Sequence, residues 1–348
     1  MFLQSLSLQN FRNYKKSSFT FDPFVTIIVG PNTSGKSNLL EAITFLSKGK
    51  SKRAEKDLQA VTFGKELARV KGIVGEKELE VILTQGTVAG IPAPLHKFLV
   101  NGVAKRRVDF AAFLPTILFS PADLDMIIGG PGLRRDFLDD VLEQVDREYR
   151  FALTSYIKAL RQRNALLQQV LKTGIRNNKQ FEYWDALLIT HGTTITKARE
   201  DFILFINTFE KTIFPLSVSY ESSIMSSERL LQYRDAEVAL GATLVGPQRD
   251  DFRIFMTGKM DIKAFGSRGQ QRLAVLQLKL LQLTFVREHL GEKPLLLLDD
   301  IFSELDSGHI HLVQDMIGSQ QTILTTTHEE FISQQIFNEK AIIHLQVS

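Results

Sequence analysis

Val25-Thr26-Ile27-Ile28-Val29 runs into Gly30-Pro31-Asn32-Thr33-Ser34-Gly35-Lys36-Ser37, and that loop into Asn38-Leu39-Leu40-Glu41-Ala42-Ile43. The first run is apolar and β-branched, as a buried strand requires, and the last has the apolar spacing of a helix. A glycine-bounded loop between them can turn its N–H groups inward, and the helix start adds positive potential, which together make a phosphate cradle. In such a cradle Lys36 reaches the β- and γ-phosphates and the Ser37 hydroxyl ligates Mg²⁺. Gly30, Pro31, Asn32, Thr33, Ser34, Gly35, Lys36 and Ser37 are therefore the candidate nucleotide-binding residues.

Partners for this loop stand far downstream. Pro294-Leu295-Leu296-Leu297-Leu298-Asp299-Asp300 is an apolar strand ending in two carboxylates. Asp299 suits the Mg²⁺ shell together with Ser37, and Asp300 suits the γ-phosphate side as base or orienter of the attacking water. Phe265-Gly266-Ser267-Arg268-Gly269-Gln270-Gln271-Arg272 opens a helix expected to run to His289, and its start offers a second anion site. Taken alone, the segment reads as a good N-cap. Thr325-Thr326-Thr327-His328 follows another strand, and His328 could hydrogen-bond a γ-phosphate.

The 348 residues, 44% of them hydrophobic, can bury a large core in one or two domains, which excludes disorder and a collagen-like chain. Lys and Arg total 42 against 39 for Asp and Glu, a net +3 too weak to argue a polyanionic partner, so any basic surface has to be local. With no cysteine there is no disulfide framework, thiolate zinc site or catalytic thiol. Gln4, Ser5, Ser7 and Gln9 interrupt the opening apolar residues, and the run Pro294 to Leu298 is far short of the roughly 20 residues of a membrane span. The expectation is a soluble, cytoplasmic protein with no membrane partner.

The first 110 or so residues read as mostly strand, with an Asn101-Gly102 hairpin turn and a further strand over Leu114 to Phe119. From Leu133 the pattern is helical. Leu138, Leu142, Val145, Tyr149, Ala152 and Tyr156 form one seam, and Trp184, Leu188, His191, Ile195, Ala198, Phe202, Phe205 and Phe209 a second. The spacing predicts an antiparallel helical hairpin, joined near Thr173 to Gln180 and roughly 50 to 60 Å long at 1.5 Å per residue. His191 is a seam residue in this reading. Strands are expected again at Thr243 to Val245, Phe252 to Met256, Leu295 to Leu298, Thr322 to Thr326 and Ala341 to Leu345.

Between Arg150 and Lys179 stand Arg150, Lys158, Arg161, Arg163, Lys172, Arg176 and Lys179 with no acidic residue. Such clustering is all that sequence-independent phosphate neutralisation needs. Lys158, Arg161 and Arg163 are the candidate DNA contacts here, with Lys50, Lys52 and Arg53 after the phosphate-loop helix and Lys105, Arg106 and Arg107 after the hairpin. No base-reading motif accompanies them, so binding set by DNA structure is expected.

The four elements, in this order, resemble the ATP-binding-cassette ATPases: a Walker A loop, the signature Ser267-Arg268-Gly269-Gln270, a Walker B strand followed by Ser303-Glu304-Leu305-Asp306, and a switch histidine, His328. The opening Leu6-Ser7-Leu8-Gln9-Asn10-Phe11-Arg12-Asn13-Tyr14 is similar to the branch that holds the SMC and RecF families. Phe119-Ser120-Pro121-Ala122-Asp123-Leu124, Gly130-Pro131-Gly132-Leu133-Arg134-Arg135-Asp136-Phe137-Leu138-Asp139 and Val245-Gly246-Pro247-Gln248-Arg249-Asp250-Asp251 narrow the resemblance to the RecF family over nearly the whole chain.

That resemblance implies an α/β fold, an ABC-type P-loop ATPase head (lobe I) with an inserted, mostly helical lobe II carrying a short antiparallel arm. The head would take 1–125 and 240–348, and lobe II 126–239. It also implies ATP and Mg²⁺ as ligands, an ATP-dependent homodimer on single-stranded and gapped or double-stranded DNA, and a weak DNA-dependent ATPase acting as a switch. Recombinational gap repair and replication restart follow, with RecO and RecR as partners in loading RecA. By the same resemblance Ser267, Gly269 and Gln270 would meet the nucleotide of the other subunit, and Arg12 that of its own. Departures from the family pattern are Gln248 in place of histidine and Thr33 in place of a small residue, where positive φ suits threonine poorly. No lid glutamine follows the strand over Leu114 to Phe119. The alternative is the ATPase subunit of another ABC-type assembly, SMC-like or transporter.

Overall fold

A computed structural model describes residues 2–51, 57–301, 317, 320–327 and 341–346. Lys52, Arg53, the 303–306 segment and His328 lie outside the described residues. The chain divides into two compact units, Met1–Asp123 with Gln282–Ser348, and Leu124–Leu281.

The first unit holds two large sheets. One is parallel throughout, in the order Thr116–Phe119, Leu295–Asp299, Thr322–Thr326, Val25–Val29, Ala341–His344. Val25–Val29 and Thr322–Thr326 are buried along their whole length, and Leu295–Asp299 up to its final residue, because these apolar and β-branched runs are covered on both faces. The register pairs Thr325 with Asp299 and Thr326 with Val29, which lines up three carboxyl ends at one rim. Ligands of parallel α/β sheets bind at such rims.

The other sheet is antiparallel, in the order Tyr14–Thr20, Leu3–Phe11, Leu67–Val74, Lys77–Thr84, His96–Val100, Val103–Lys105. Its last hairpin turns at Asn101 and Gly102, with φ of 50° and 75° as a type I′ turn requires. The helix Lys36–Lys48 contributes Leu39, Leu40, Ile43, Phe45 and Leu46 to the core that also holds Leu6, Leu8, Val70 and Val81. Gln321 ties the sheets together: Leu3 N donates to its Oε1 at 2.8 Å, and its Nε2 donates to the carbonyls of Leu3 at 2.8 Å and Asp22 at 2.9 Å.

The second unit is built on the helices Pro131–Val145, Arg147–Thr173 and Asn178–Thr208, with a small antiparallel sheet of Leu216–Glu221, Asp251–Met256 and Met260–Asp261. Four details depart from the sequence reading. The first seam is not one helix: Asp146 leaves helical geometry (φ −118°, ψ 113°), and its side chain accepts from Glu148 N and Tyr149 N to cap a new helix. The paired helices, 27 and 31 residues long, accordingly span about 40 and 46 Å.

The second seam is rotated by one position. Leu188, Gly192, Ile195, Arg199, Phe202 and Ile206 are buried, while His191 and Ala198 are half-buried beside them. His191 lies edge-on to Phe151 at 5.7 Å, and burial pushes its pKa below the usual value. One cause of the rotation is polar and one is packing. Arg199 is buried because it donates to Asp139 at 2.7 Å and to Asp250 at 2.8 Å, and Gly192 because Tyr156 and Met225 close over it.

Thr243 to Val245 is not a strand, since side chains take its N–H groups: Thr243 N donates to Asn164 Oδ1 and Leu244 N to Glu237 Oε1. Finally, the second unit continues past residue 239 to Leu281, and so includes the signature segment, which the sequence division assigns to the head. Strand pairing of Leu216–Glu221 with Asp251–Met256, and the Arg134–Asp251 ion pair at 2.6 Å, hold residues 251–256 in this unit. Among the described residues no helix is long and apolar enough to cross a membrane.

Candidate nucleotide site

Lys36 and Ser37 begin the helix that leaves the Val25–Val29 strand, and Asp299 ends the strand two places away in the sheet. Ser37 Oγ donates to Asp299 Oδ1 at 3.1 Å, and Thr325 Oγ1, on the strand between, donates to the same oxygen at 2.8 Å. Lys36 Nζ is folded onto the loop and donates to the carbonyls of Gly30 at 2.6 Å and Pro31 at 2.9 Å. Burial lowers the Lys36 pKa, and the charges of Asp300 and Asp299 work against that shift. Asp300 turns away from the strand in the left-handed region, φ 52°, with its N–H shared between Thr325 O at 3.2 Å and Thr325 Oγ1 at 3.1 Å.

The loop is as tight as a cradle demands. A Cβ on Gly30 would stand 2.6 Å from Ser34 Oγ and 2.8 Å from the Leu345 carbonyl, and Gly35 has φ 100° with Asn13 and Tyr14 side chains 2.8 Å from where a Cβ would be. Thr33 does adopt positive φ, 72°, a conformation a β-branched residue takes only under strain. Asn32 and Thr33 are exposed, whereas Ser34 is buried and its Oγ has no hydrogen-bond partner among the described residues. An orphaned hydroxyl in the loop, a lysine with only carbonyls to hold, and hard oxygens from Ser37 and Asp299 together fit a nucleoside triphosphate with Mg²⁺.

Arg12 stands beside this loop with φ 52° and is already engaged: its Nε and Nη2 fork onto Glu41 at 2.9 and 2.6 Å, and Nη1 donates to Gln59 O at 3.0 Å. Tyr14 Oη donates to Gly35 O at 3.1 Å, and burial pushes its pKa up to about 12. Asn38 Nδ2 donates to Asn13 Oδ1 at 2.9 Å. Thr325, Glu41, Asn13 and Tyr14 were not among the residues singled out from sequence for this site. The Phe11-Arg12-Asn13-Tyr14 and Thr325-Thr326-Thr327-His328 segments carry the signal for three of them, while a helix glutamate carries none.

In the second unit Ser267 and Gln270 cap the helix Arg268–Leu290 reciprocally: Gln270 N donates to Ser267 Oγ at 3.3 Å and Ser267 N to Gln270 Oε1 at 2.9 Å. Gly269 has an ordinary helical setting, and a Cβ there would meet nothing closer than Ser267 Oγ at 4.0 Å.

The candidate DNA contacts divide. Lys105, Arg106, Lys158 and Arg161 are exposed, Lys50 and Arg107 half-buried, with Arg107 Nη1 donating to Lys48 O at 3.3 Å. Arg163 is a correction: it is 1% exposed, bound to Asp185 at 2.6 Å and Glu237 at 2.7 Å, and donates to Thr243 Oγ1 at 2.9 Å. A guanidinium spent on two carboxylates inside the fold has no face left for a phosphate.

Comparison with known proteins adds three findings. The family model described as RecF/RecN/SMC N terminal domain matches residues 2–346. "DNA replication and repair protein RecF" of Bacillus cereus (strain AH820), and the protein of the same name from Bacillus anthracis (strain CDC 684 / NRRL 3495), are each 31% identical over 99% of this chain and 97% of their own. The solved structure titled "Structure of the recombination mediator protein RecF-ATP in RecFOR pathway" superposes with a TM-score of 0.86 at 32% identity, over 95% of this chain and 93% of that one.

Proposed function

This chain belongs to the RecF/RecN/SMC N-terminal-domain family, with the ABC-type ATPase fold of its RecF members, and from that premise we propose that it is an ATP-dependent DNA-binding protein of recombinational gap repair in the cytoplasm. The observation that carries the reading is the convergence of Ser37 and Thr325 on Asp299 Oδ1 beside the phosphate loop. Gly30 to Ser37 bind the triphosphate, with Lys36 released from its carbonyls onto the β- and γ-phosphates. Ser37 and Asp299 hold Mg²⁺, which when bound neutralises charge developing on the phosphates. Asp300 orients or deprotonates the attacking water, and its short side chain suits a slow switch.

Ser267, Gly269 and Gln270 act in trans, on the nucleotide of a second copy; His328, outside the described residues, keeps its role as a γ-phosphate hydrogen-bonding group by family resemblance alone. Gly269 supports this: nothing among the described residues of its own chain requires glycine there, so the missing Cβ leaves room for another molecule. Arg12 has to leave or share Glu41 to touch nucleotide, which couples the ligand to the helix behind the loop. Exposed Lys105, Arg106, Lys158 and Arg161 neutralise DNA phosphates without reading sequence. RecR and RecO complete the assembly that loads RecA.

Analytical ultracentrifugation with ATP, Mg²⁺ and a gapped duplex tests the reading. Wild type should form DNA-bound dimers, which Asp300→Asn prolongs and which Lys36→Ala and Ser267→Arg lose. A wild type that binds ATP yet remains monomeric on DNA would overturn the trans arrangement.

A further inference from the structure

Near the far end of the paired helices lies a cavity of about 470 Å³, built wholly within the second unit. One wall is apolar, from Phe181, Ile189, Leu230 and Leu231. The other carries Arg176 and Arg234, and both guanidiniums donate to one neutral acceptor, Asn178 Oδ1, at 3.2 and 3.4 Å. Arg176 Cζ also lies over the Phe181 ring, 3.7 Å from its centroid, and Arg176 Nη1 is buried with no partner among the described residues.

The site brings two like charges onto one neutral acceptor, while the two carboxylates that also line it, Glu182 and Asp185, make no ion pair with either arginine among the described residues. Neither arginine forms an ion pair with a described residue. Asp185, which lines the same cavity, is held by Arg163 at 2.6 Å, and Glu237 by Arg163 at 2.7 Å. Burial, then repulsion from Arg234 and Arg163, pushes the Arg176 pKa below its ordinary value, with Asp185 and Glu237 opposing. Two guanidiniums converging on an amide oxygen give the donor arrangement that a carboxylate or phosphate would fill more strongly.

We propose that this cavity is a docking site for a partner protein's acidic peptide, in which a carboxylate replaces Asn178 between Arg176 and Arg234 and a neighbouring large apolar side chain enters the Phe181–Leu231 wall. Charge complementarity names the carboxylate, and the apolar wall names its neighbour. Leu231 is 69% exposed and Ile175, next to Arg176 in the chain, 76% exposed, so apolar side chains stand open to a partner beside the two arginines. A nucleic-acid strand fits less well, because its sugars and phosphates make no use of the apolar wall of Phe181, Ile189, Leu230 and Leu231.

The test is fluorescence anisotropy of the full chain with a fluorescein-labelled Asp-Leu-Asp-Phe-Asp-Leu peptide, a control carrying Lys for Asp, and labelled oligo-dT. The acidic peptide should bind, the Lys peptide should not, and Arg176→Ala and Arg234→Ala should each weaken binding about tenfold. Leu231→Asp should abolish it, whereas Lys16→Ala, at an exposed strand position of the first unit, should leave it unchanged. Thermal unfolding establishes that the variants fold. Absence of peptide binding up to about 1 mM, or equal binding by wild type and both arginine variants, overturns the proposal. Loss of oligo-dT binding in the same variants without any peptide binding would assign the cavity to nucleic acid and overturn it equally.

Discussion

Thr325 Oγ1 donates to Asp299 Oδ1 at 2.8 Å, so a threonine on one strand fixes the rotamer of the carboxylate ending the next. The same hydroxyl accepts from Asp300 N at 3.1 Å, which makes it the joint between two neighbouring acids. Thr325→Val keeps the shape and the β-branched strand preference but removes both bonds. Asp299 then loses an orienting partner of the kind whose removal from a metal site costs about 10- to 100-fold in affinity. Mg²⁺-dependent ATP binding should fall by that factor in a titration calorimeter, with Thr325→Ser restoring it and Mg²⁺-free nucleotide binding little changed.

The site's skeleton was legible because each of its parts has a local signature: apolar β-branched strands, a glycine loop, acids at a strand end. What was not legible depends on partners distant in sequence. Nothing near Arg199 announces that Asp139 and Asp250 will pair with it, so an apolar-seam reading passes over it and settles on Ala198. The break at Asp146 is a single capping residue inside an unbroken apolar rhythm, and rhythm alone carries the helix through it. Thr243 and Leu244 have strand-like side chains, but Asn164 and Glu237 satisfy their N–H groups.

Arg161 and Arg163 are two residues apart on one helix and should behave as opposites. Arg163→Ala leaves Glu237, a fully buried carboxylate, and Asp185 without their cation, and unpairing a buried ion costs about 3–5 kcal/mol. Arg161→Ala should stay within about 0.5 kcal/mol of wild type in denaturant unfolding. In DNA titrations at several salt concentrations, Arg161→Ala should reduce the salt dependence by about one released counterion. A destabilised Arg161→Ala, or a fully stable Arg163→Ala, contradicts this division.

Acid should loosen the second unit through Asp251. Burial raises the pKa of this carboxyl, but hydrogen bonds from Arg134 and Phe252 N and the charges of Arg134 and Arg135 outweigh it, leaving the pKa below the ordinary 3.8. A carboxyl with a lowered folded pKa stabilises fully above the unfolded value, and that contribution fades as pH falls from 3.8 through the folded value. Thermal unfolding followed from neutral pH into this range should show wild type losing stability faster than Asp251→Asn. The variant starts lower, and the two curves converge in acid. Parallel curves would mean that the ion pair does not form.

Gly30 and Gly269 are glycine for different reasons, and the difference can be measured. At Gly30 the chain itself forbids a Cβ, with Ser34 Oγ and the Leu345 carbonyl inside 3 Å, so Gly30→Ala should disturb the loop and the monomer's nucleotide binding. At Gly269 the nearest atom is 4.0 Å from a Cβ, and alanine in a helix is favoured over glycine by up to about 1 kcal/mol. Gly269→Ala should therefore unfold at the same temperature as wild type or slightly higher and bind ATP normally as a monomer. If a second copy's nucleotide comes against this helix start, the added methyl group meets it and ATP-driven dimers disappear in sedimentation. Wild-type dimers from Gly269→Ala would show that nothing approaches Gly269 closely, and the trans role of Ser267 would lose its steric support.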